Sequence, residues 1–384
     1  MGTAIAQRAM LPLIKPDLPV FEEVEPAFRE VLANGRITNF GKYVTAFECA
    51  CSDYLGVNTA TVSSGTMGLL FALQAVGVRP GQRVILPSFT FMATAQAVVY
   101  AGAVPVFAEV GSDLTLDPQD LADQLAGDAE VAAVLAVHAF GLPCHVDEIS
   151  EVVHAYETRV GRPVPLLYDA AHAFGSRLNG RAAGSFGSVE VFSLSATKAL
   201  GCVEGGLVAS RDPAVVEKVR RMRNYGIESN YDAQWPGMNG KMSELHAIVG
   251  LANLRRLDQI LSIRAEKAAY YERELMAHTK CELIPRPAGV RHTFTHFTVL
   301  LPECVAARRE RIAAWLQENA IETRAYWYPP VHEQKFFASF TNRELPRTAQ
   351  LSRRVLSLPF HTTMSEAEMT YVAQMLGQAE KMFG

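Results

Sequence analysis

The chain of 384 residues has few cysteines, no surplus of basic charge and no long apolar run, and each shortage closes off a class of protein. No apolar stretch approaches the roughly 18 residues that a membrane-spanning helix needs. Lys and Arg number 36 against 40 Asp and Glu, a formal net charge of -4, so nothing is in excess to neutralise a nucleic-acid backbone or an anionic bilayer. The six cysteines are scattered, form no CxxC pair and stand in a chain too long to need disulfide staples. Cys49 and Cys51 lie two apart in a helical stretch and so point to different faces. Free thiols in a reducing compartment, and no metal site, are expected. The segment MGTAIAQRAMLPLIKPDLP is broken by Gln7, Arg8, Lys15 and two prolines before a signal-peptide core could form. Ala6 stands where a myristoylation signal needs Ser or Thr. These readings predict a soluble cytoplasmic protein with no nucleic-acid and no membrane partner. Internal repeats and low-complexity tracts are also absent.

What remains has the composition of an ordinary globular protein, with 49% hydrophobic residues, 27 Gly and 20 Pro. FEEVEPAFREVLANG and GKYVTAFECACSDYLG space their apolar residues three and four apart, and Gly35 ends the first as a helix cap. Short apolar runs then alternate with helical stretches: TATV, RVILP, VPVFAEV, VAAVLAVHAF and VPLLYD are each a strand, and a helix pattern follows each of the first four. Runs that are apolar throughout belong to strands covered on both faces, so an open, mostly parallel sheet sandwiched by helices is predicted. Past Asp169 the rhythm changes. Asn179-Gly180 marks a hairpin, VEVFSL and GGLVAS are two further strands, and residues 213–278 are mainly helical around the loop IESNYDAQWPGMNG. The chain divides into residues 1–280, N-terminal helices and a large α/β domain, and residues 281–384, a small C-terminal α+β domain.

Four local features carry chemistry. Ser63-Ser64-Gly65-Thr66 follows a strand and opens a helix, where free N–H groups and the helix dipole favour a phosphate; an ordinary strand-to-helix turn reads the same way. Asp169 ends an apolar strand at the edge where open α/β sheets bind ligands, and could equally cap a helix. Lys198 follows another apolar strand and precedes glycine-rich GCVEGG; a lone lysine there is ordinarily solvated. Phe91, in PSFTF, would ordinarily be core. Together, a phosphate cradle, an acid and then a lysine match the needs of pyridoxal 5'-phosphate (PLP). Its aldehyde bonds a lysine, a carboxylate keeps its ring nitrogen protonated, and an aromatic face stacks on the ring.

The segment YDAAHAFGSRLNGRAAGSFGSVEVFSLSATKALGCVEGGLV resembles the active-site region of the nucleotide-sugar aminotransferases of the DegT/StrS type, PLP enzymes of the aspartate-aminotransferase fold. VSSGTMGLLFALQAVGVRPGQRVILPSFTFMATAQAV, VHAFGLPCHVDEI, MNGKMSELHAIVGLANLRRLD and LSLPFHTTMSEAE extend the similarity over nearly the whole chain. The resemblance implies that Lys198 is the lysine that bonds the cofactor and that Asp169 faces its ring nitrogen. His172 would lie beside the ring, and Gly65, Thr66 and Ser193 would bind the phosphate. Phe91 takes the stacking place. Asn239 would reach the phosphate held by a neighbouring subunit, making a homodimer with shared active sites the catalytic unit; a helix-capping role is the alternative. Arg36, Tyr326 and His332, with Trp327 and Tyr328, fall in segments similar to family segments near the substrate. The implied reaction moves an amino group from an amino acid, L-glutamate above all, to a nucleotide-linked keto sugar, in particular carbon 4 of a dTDP-4-keto-6-deoxy sugar. A 3-keto sugar or a keto-inositol would use the same catalytic set; a regulatory protein that keeps the fold without turnover is the rival of a different class, and the intact Lys198 and Asp169 speak against it. Family dehydratases carry histidine at the lysine position, and Lys198 speaks against that activity. Where many members read Ser-Phe-His-x-Thr-Lys, this chain reads Ser193-Leu194-Ser195-Ala196-Thr197-Lys198. Tyr168 replaces their usual acidic residue.

Overall fold

The structure, a computed structural model, describes residues 9–128, 130–341 and 343–384. The readings at Ala6, Gln7 and Arg8 therefore lie outside the described residues. Seven strands form the main sheet: β1 (Asn58–Val62), β2 (Arg83–Pro87), β3 (Val104–Ala108), β4 (Val131–Val137), β5 (Leu166–Asp169), β6 (Val189–Ser193) and β7 (Gly206–Ser210). Their order is β1-β7-β6-β5-β4-β2-β3. From β6 to β3 every pair is parallel, and β7 runs antiparallel to both β6 and β1. The apolar strand runs are explained by two covered faces. In β4, Val134 and Ala136 enter one core while Ala133 and Leu135 enter the other, the alternation that a pleated strand imposes; Val131 departs from it where the register with β2 shifts.

Helices α1 (Phe21–Asn34) and α2 (Lys42–Leu55) precede the sheet, and α3 (Gly65–Ala75), α4 (Met92–Tyr100), α5 (Pro118–Gly127) and α6 (Val146–Val160) connect its first five strands. One core joins residues of α2, α5 and α6 to the sheet, and the other joins α3, α4 and the later α7 (Pro213–Met222) to its opposite face. Gly35 ends α1 in the left-handed region (φ 70°), its N–H reaching the Val31 carbonyl. Arg177–Leu178 and Arg181–Ala182 form the hairpin foreseen at Asn179-Gly180. Inside the segment read as a loop after α7, Ile227–Ser229 and Asp232–Ala233 pair as a short ribbon. Local pairing there arises without the alternating apolar pattern that reveals a strand in sequence.

Two more helices, α8 (Glu244–Arg255) and α9 (Leu257–His278), lead to the C-terminal domain. Leu257 and Leu261 of α9 belong to the core of the large domain, whereas Ala268, Tyr271 and Leu275 belong to the C-terminal core, so one helix is shared by both. That second core lies on an antiparallel sheet of Glu282–Leu283, Phe297–Leu300 and Val355–Leu358. Leu11 joins it too, bridged to Ile321, so a segment before α1 folds against the C-terminal domain, which a division of the chain at residue 280 does not anticipate.

Candidate active site

The residues that follow the carboxyl ends of β1, β2, β4, β5 and β6 converge on a cavity of about 340 Å³, closed on one side by Ile14, His296, Tyr326 and Trp327. Lys198, Asp169, His172, Gly65, Thr66, Ser193 and Phe91 all line it.

At its base α3 begins. Ser64 Oγ accepts from the Met67 N–H (3.2 Å) and caps the helix, while its first residues Gly65 and Thr66 face the cavity. The turn is drawn tight against neighbouring backbone. A Cβ on Gly206 would lie 2.5 Å from the Ser64 carbonyl carbon and 2.7 Å from the Gly65 nitrogen, and one on Gly68 would lie 2.7 Å from Val191. Glycine alone lets α3 sit directly over β6 and β7.

Asp169 ends β5 and is only 6% exposed. One carboxylate oxygen accepts from Thr94 Oγ1 (2.7 Å) and the other from the Ala171 N–H (3.0 Å), an Asx turn and not a helix cap. Burial pushes its carboxyl above the usual range, against the pull of Thr94, the Ala171 N–H and Lys198. Lys198 is half-buried. Enclosure lowers its ammonium to about 8, opposed by the attraction of Asp169 and Glu204. His172 is buried, and burial together with the Lys198 charge holds it well below the ordinary imidazole range. Its ring is parallel to those of Trp327 (5.8 Å) and Phe140 (6.3 Å), and its backbone carbonyl accepts from the Thr293 and Thr295 hydroxyls. Phe91 is 51% exposed at the start of α4, so the core placement does not hold for it.

Residues 20–377 match the DegT/DnrJ/EryC1/StrS aminotransferase family. The chain belongs to that family. A UDP-N-acetyl-3-dehydro-α-D-glucosamine 3-aminotransferase of Acidithiobacillus ferrooxidans is 31% identical over 93% of this chain and 94% of its own length. A GDP-perosamine synthase of Vibrio cholerae is 29% identical over 91% and 94%. The crystal structure of DesI in the presence of its TDP-sugar product superposes with a TM-score of 0.89 at 30% identity, covering 97% of this chain and 93% of that one. As in DegT-family aminotransferases, the fold here is α/β with a mostly parallel, helix-flanked sheet.

Among the residues proposed near the substrate of this DegT-family aminotransferase, Tyr326 and Trp327 line the cavity. Tyr328 turns away beneath the Arg309 guanidinium (4.0 Å). Arg36 and His332 lie outside the cavity. Arg36 is exposed beyond α1, and His332 is buried with Nδ1 2.6 Å from Ser88 Oγ, fastening a turn to the end of β2. Asn239 is also outside the cavity of its own chain, exposed on the loop before α8, although the neighbouring Gly240 carbonyl accepts from the Ser63 N–H (2.7 Å). It does not cap α8; Ser243 does. Sequence reasoning missed Thr94, His138, Glu204 and His296. Thr94 is one turn into a helix that no motif marks. His138 follows β4 at the same sheet edge as Asp169, a signal that was available. It is already engaged, with Nδ1 accepting from the Cys144 N–H (3.1 Å) and Nε2 meeting Glu190 (3.3 Å). No group of His, Cys, Asp and Glu among the described residues is arranged to hold a metal ion.

Proposed function

We propose that the protein is a PLP-dependent transaminase that moves an amino group from L-glutamate to carbon 4 of a dTDP-linked 4-keto-6-deoxy sugar. The observation that carries this reading is that a buried carboxylate, Asp169, and a half-buried amine of lowered basicity, Lys198, share one cavity with the free N-terminus of α3. That set suits PLP. The α3 N–H groups with the Ser193 hydroxyl match a phosphate, and the backbone packing that Gly206 permits leaves that turn open to one. When bound, PLP supplies the aldehyde carbon that takes up nitrogen and the ring that accepts the electron pair. Asp169, steadied by Thr94 and the Ala171 N–H, holds a proton at the ring nitrogen. His172 and Phe91, which both line the cavity, would hold the ring between them. Lys198 Nζ, which gives up its proton near pH 8, is the base that moves the proton at the reacting carbon. Tyr326 and Trp327 exclude water from the side facing the C-terminal domain.

A homodimer with shared sites completes the reading. Lys198 is the one Lys or Arg among the described residues that line the cavity, although a phosphate and two anionic substrates must be held there. Tyr225, Tyr231 and Met238 are exposed on the loop that carries Asn239. A second copy seated on that loop would cover them and bring Asn239 to the phosphate. No helix among the described residues is long and apolar enough to cross a membrane, and every cysteine is free, in keeping with a cytoplasmic enzyme.

The test supplies L-glutamate and one acceptor at a time, namely dTDP-4-keto-6-deoxyglucose, GDP-4-keto-6-deoxymannose, a UDP-linked 3-keto sugar and a keto-inositol, with the amine product read by mass spectrometry. Efficient amination of the dTDP sugar is expected. Preference for the 3-keto sugar moves the reaction to carbon 3, preference for the GDP sugar changes the nucleotide, and amination of keto-inositol alone removes the nucleotide-sugar reading.

A further inference from the structure

One polar side chain in the cavity wall is left unused by the fold and by the mechanism above. His296 stands immediately before the strand Phe297–Leu300, where the C-terminal domain closes over the cavity, and shares that wall with Lys198, His172 and Tyr326. Its ring is held by other rings. It meets His172 edge-on at 5.0 Å, Phe140 edge-on at 6.0 Å and Tyr326 at 4.8 Å. Its Nδ1 is sealed from solvent without a hydrogen-bond partner, whereas Nε2, which also bonds no described residue, is not sealed and is the nitrogen a ligand in the cavity can reach. The imidazoles of His138, His292 and His332 are engaged, by Cys144 and Glu190, by the Phe294 N–H and by Ser88, whereas His172 on the same wall also makes no ring hydrogen bond to a described residue but is already assigned a place beside the cofactor. A fixed, enclosed and unpaired imidazole at a ligand cavity is a group whose partner comes with the ligand.

The character of that partner follows from charge. Burial, aided by the positive charges of Lys198 and Arg264, pushes the His296 imidazolium down to about 3, so the ring is neutral in use. A neutral imidazole has one N–H donor and one lone-pair acceptor, the same complement as a hydroxyl group. A carboxylate only accepts and is better matched by a cation, which His296 is prevented from becoming.

We propose that His296 is a specificity residue that hydrogen-bonds a hydroxyl of the acceptor sugar next to the carbon being aminated; this rests on the keto-sugar reading above. It serves the second half of the reaction and not the uptake of nitrogen from the amino acid. A site built to bond a hydroxyl rejects analogues that lack it, because its own polar group is then left buried and unpaired.

The experiment titrates the PLP-loaded protein with dTDP-4-amino-4,6-dideoxyglucose and with its 3-deoxy analogue by calorimetry, in wild type, His296→Ala and His296→Asn. The glutamate half-reaction is followed separately through the cofactor spectrum. His296→Ala should weaken the hydroxylated ligand about tenfold and the 3-deoxy ligand less than about twofold, and His296→Asn, which keeps a donor and an acceptor, should recover part of the loss. The glutamate half-reaction should change less than about threefold. Equal losses for both ligands, or none, overturn the proposal. So does a slowed glutamate half-reaction with unchanged sugar binding, which would assign His296 to the donor. If wild-type protein neither binds nor aminates any nucleotide sugar, the functional reading fails first and this inference falls with it, a result separate from a wild type that binds sugar indifferently to residue 296.

Discussion

Lys198 and Asp169 act on each other through a shared enclosure, and their titrations set what can be measured. A lysine whose ammonium gives up its proton near 8 is largely a free amine at pH 9, where an exposed lysine is not. The rate at which cofactor-free protein captures PLP should therefore rise with pH through a midpoint near 8. A midpoint near 10.5 would mean that the amine is solvated. Borohydride should leave a covalent label at this position in wild type and none in Lys198→Ala, whatever the activity of either. Removing the carboxylate by Asp169→Ala should lower turnover at least a hundredfold while some PLP still binds, because the phosphate contacts persist. More than about a tenth of the activity, a barrier change under ~1.4 kcal/mol, would remove Asp169 from its assigned role.

At the scale of elements, the cavity exists because α3 is pressed onto the ends of β6 and β7. Gly206→Ala inserts a carbon within 2.5 Å of the Ser64 backbone, which has no flexible end to yield. The start of α3 must shift, so PLP affinity should fall at least tenfold, with a smaller proportional loss of thermal stability. An unchanged PLP dissociation constant would detach α3 from the cofactor. The other exacting junction is between α2 and α8, where the buried Glu244 carboxylate accepts from the Gly41 (2.9 Å) and Tyr43 (2.7 Å) N–H groups at the start of α2. Glu244→Ala leaves those donors buried and unpaired and should cost ~3 kcal/mol in denaturant unfolding, with Glu244→Gln retaining about half. Loss below ~0.5 kcal/mol would show that water reaches the junction.

For the whole molecule the question is whether one chain suffices. A cavity whose single Lys or Arg among the described residues is Lys198 is short of positive charge for its proposed ligands. Mixing Lys198→Ala chains with Asn239→Ala chains should restore activity at limiting PLP, since a hybrid dimer then pairs an intact lysine with an intact asparagine from its neighbour. Hybrids that form, as shown by native mass spectrometry, but recover nothing would confine Asn239 to its own chain. Ser243, not Asn239, caps α8, so a fall in PLP affinity without a fall in stability is the expected behaviour of the Asn239→Ala homodimer.

The order of strands and helices was written in the sequence, because strands covered on both faces must be apolar throughout and helices must carry a stripe every three or four residues. Asp169, Lys198 and the Gly65-Thr66 turn were legible for a related reason: each stands at or just beyond the end of a strand, and that sheet edge is where α/β folds gather ligands, whereas the family, His172 and Ser193 were legible only through the resemblance of whole segments. Reading could not supply what two distant segments decide jointly. Thr94 reaches Asp169 only because folding brings the start of α4 to the end of β5. His332, in a segment that resembles a substrate wall, is drawn instead to Ser88, because a short turn at Val331–Glu333 aims it there. Leu11 joins the far domain through a single bridge with no pattern to announce it. His296 looks like one more aromatic-flanked strand residue until the closing of the C-terminal domain leaves its Nδ1 enclosed without a partner. Local periodicity follows from contacts a few residues apart and is recorded in the chain; which side chain ends unpaired at a cavity depends on packing between segments hundreds of residues apart, and only the folded chain determines it.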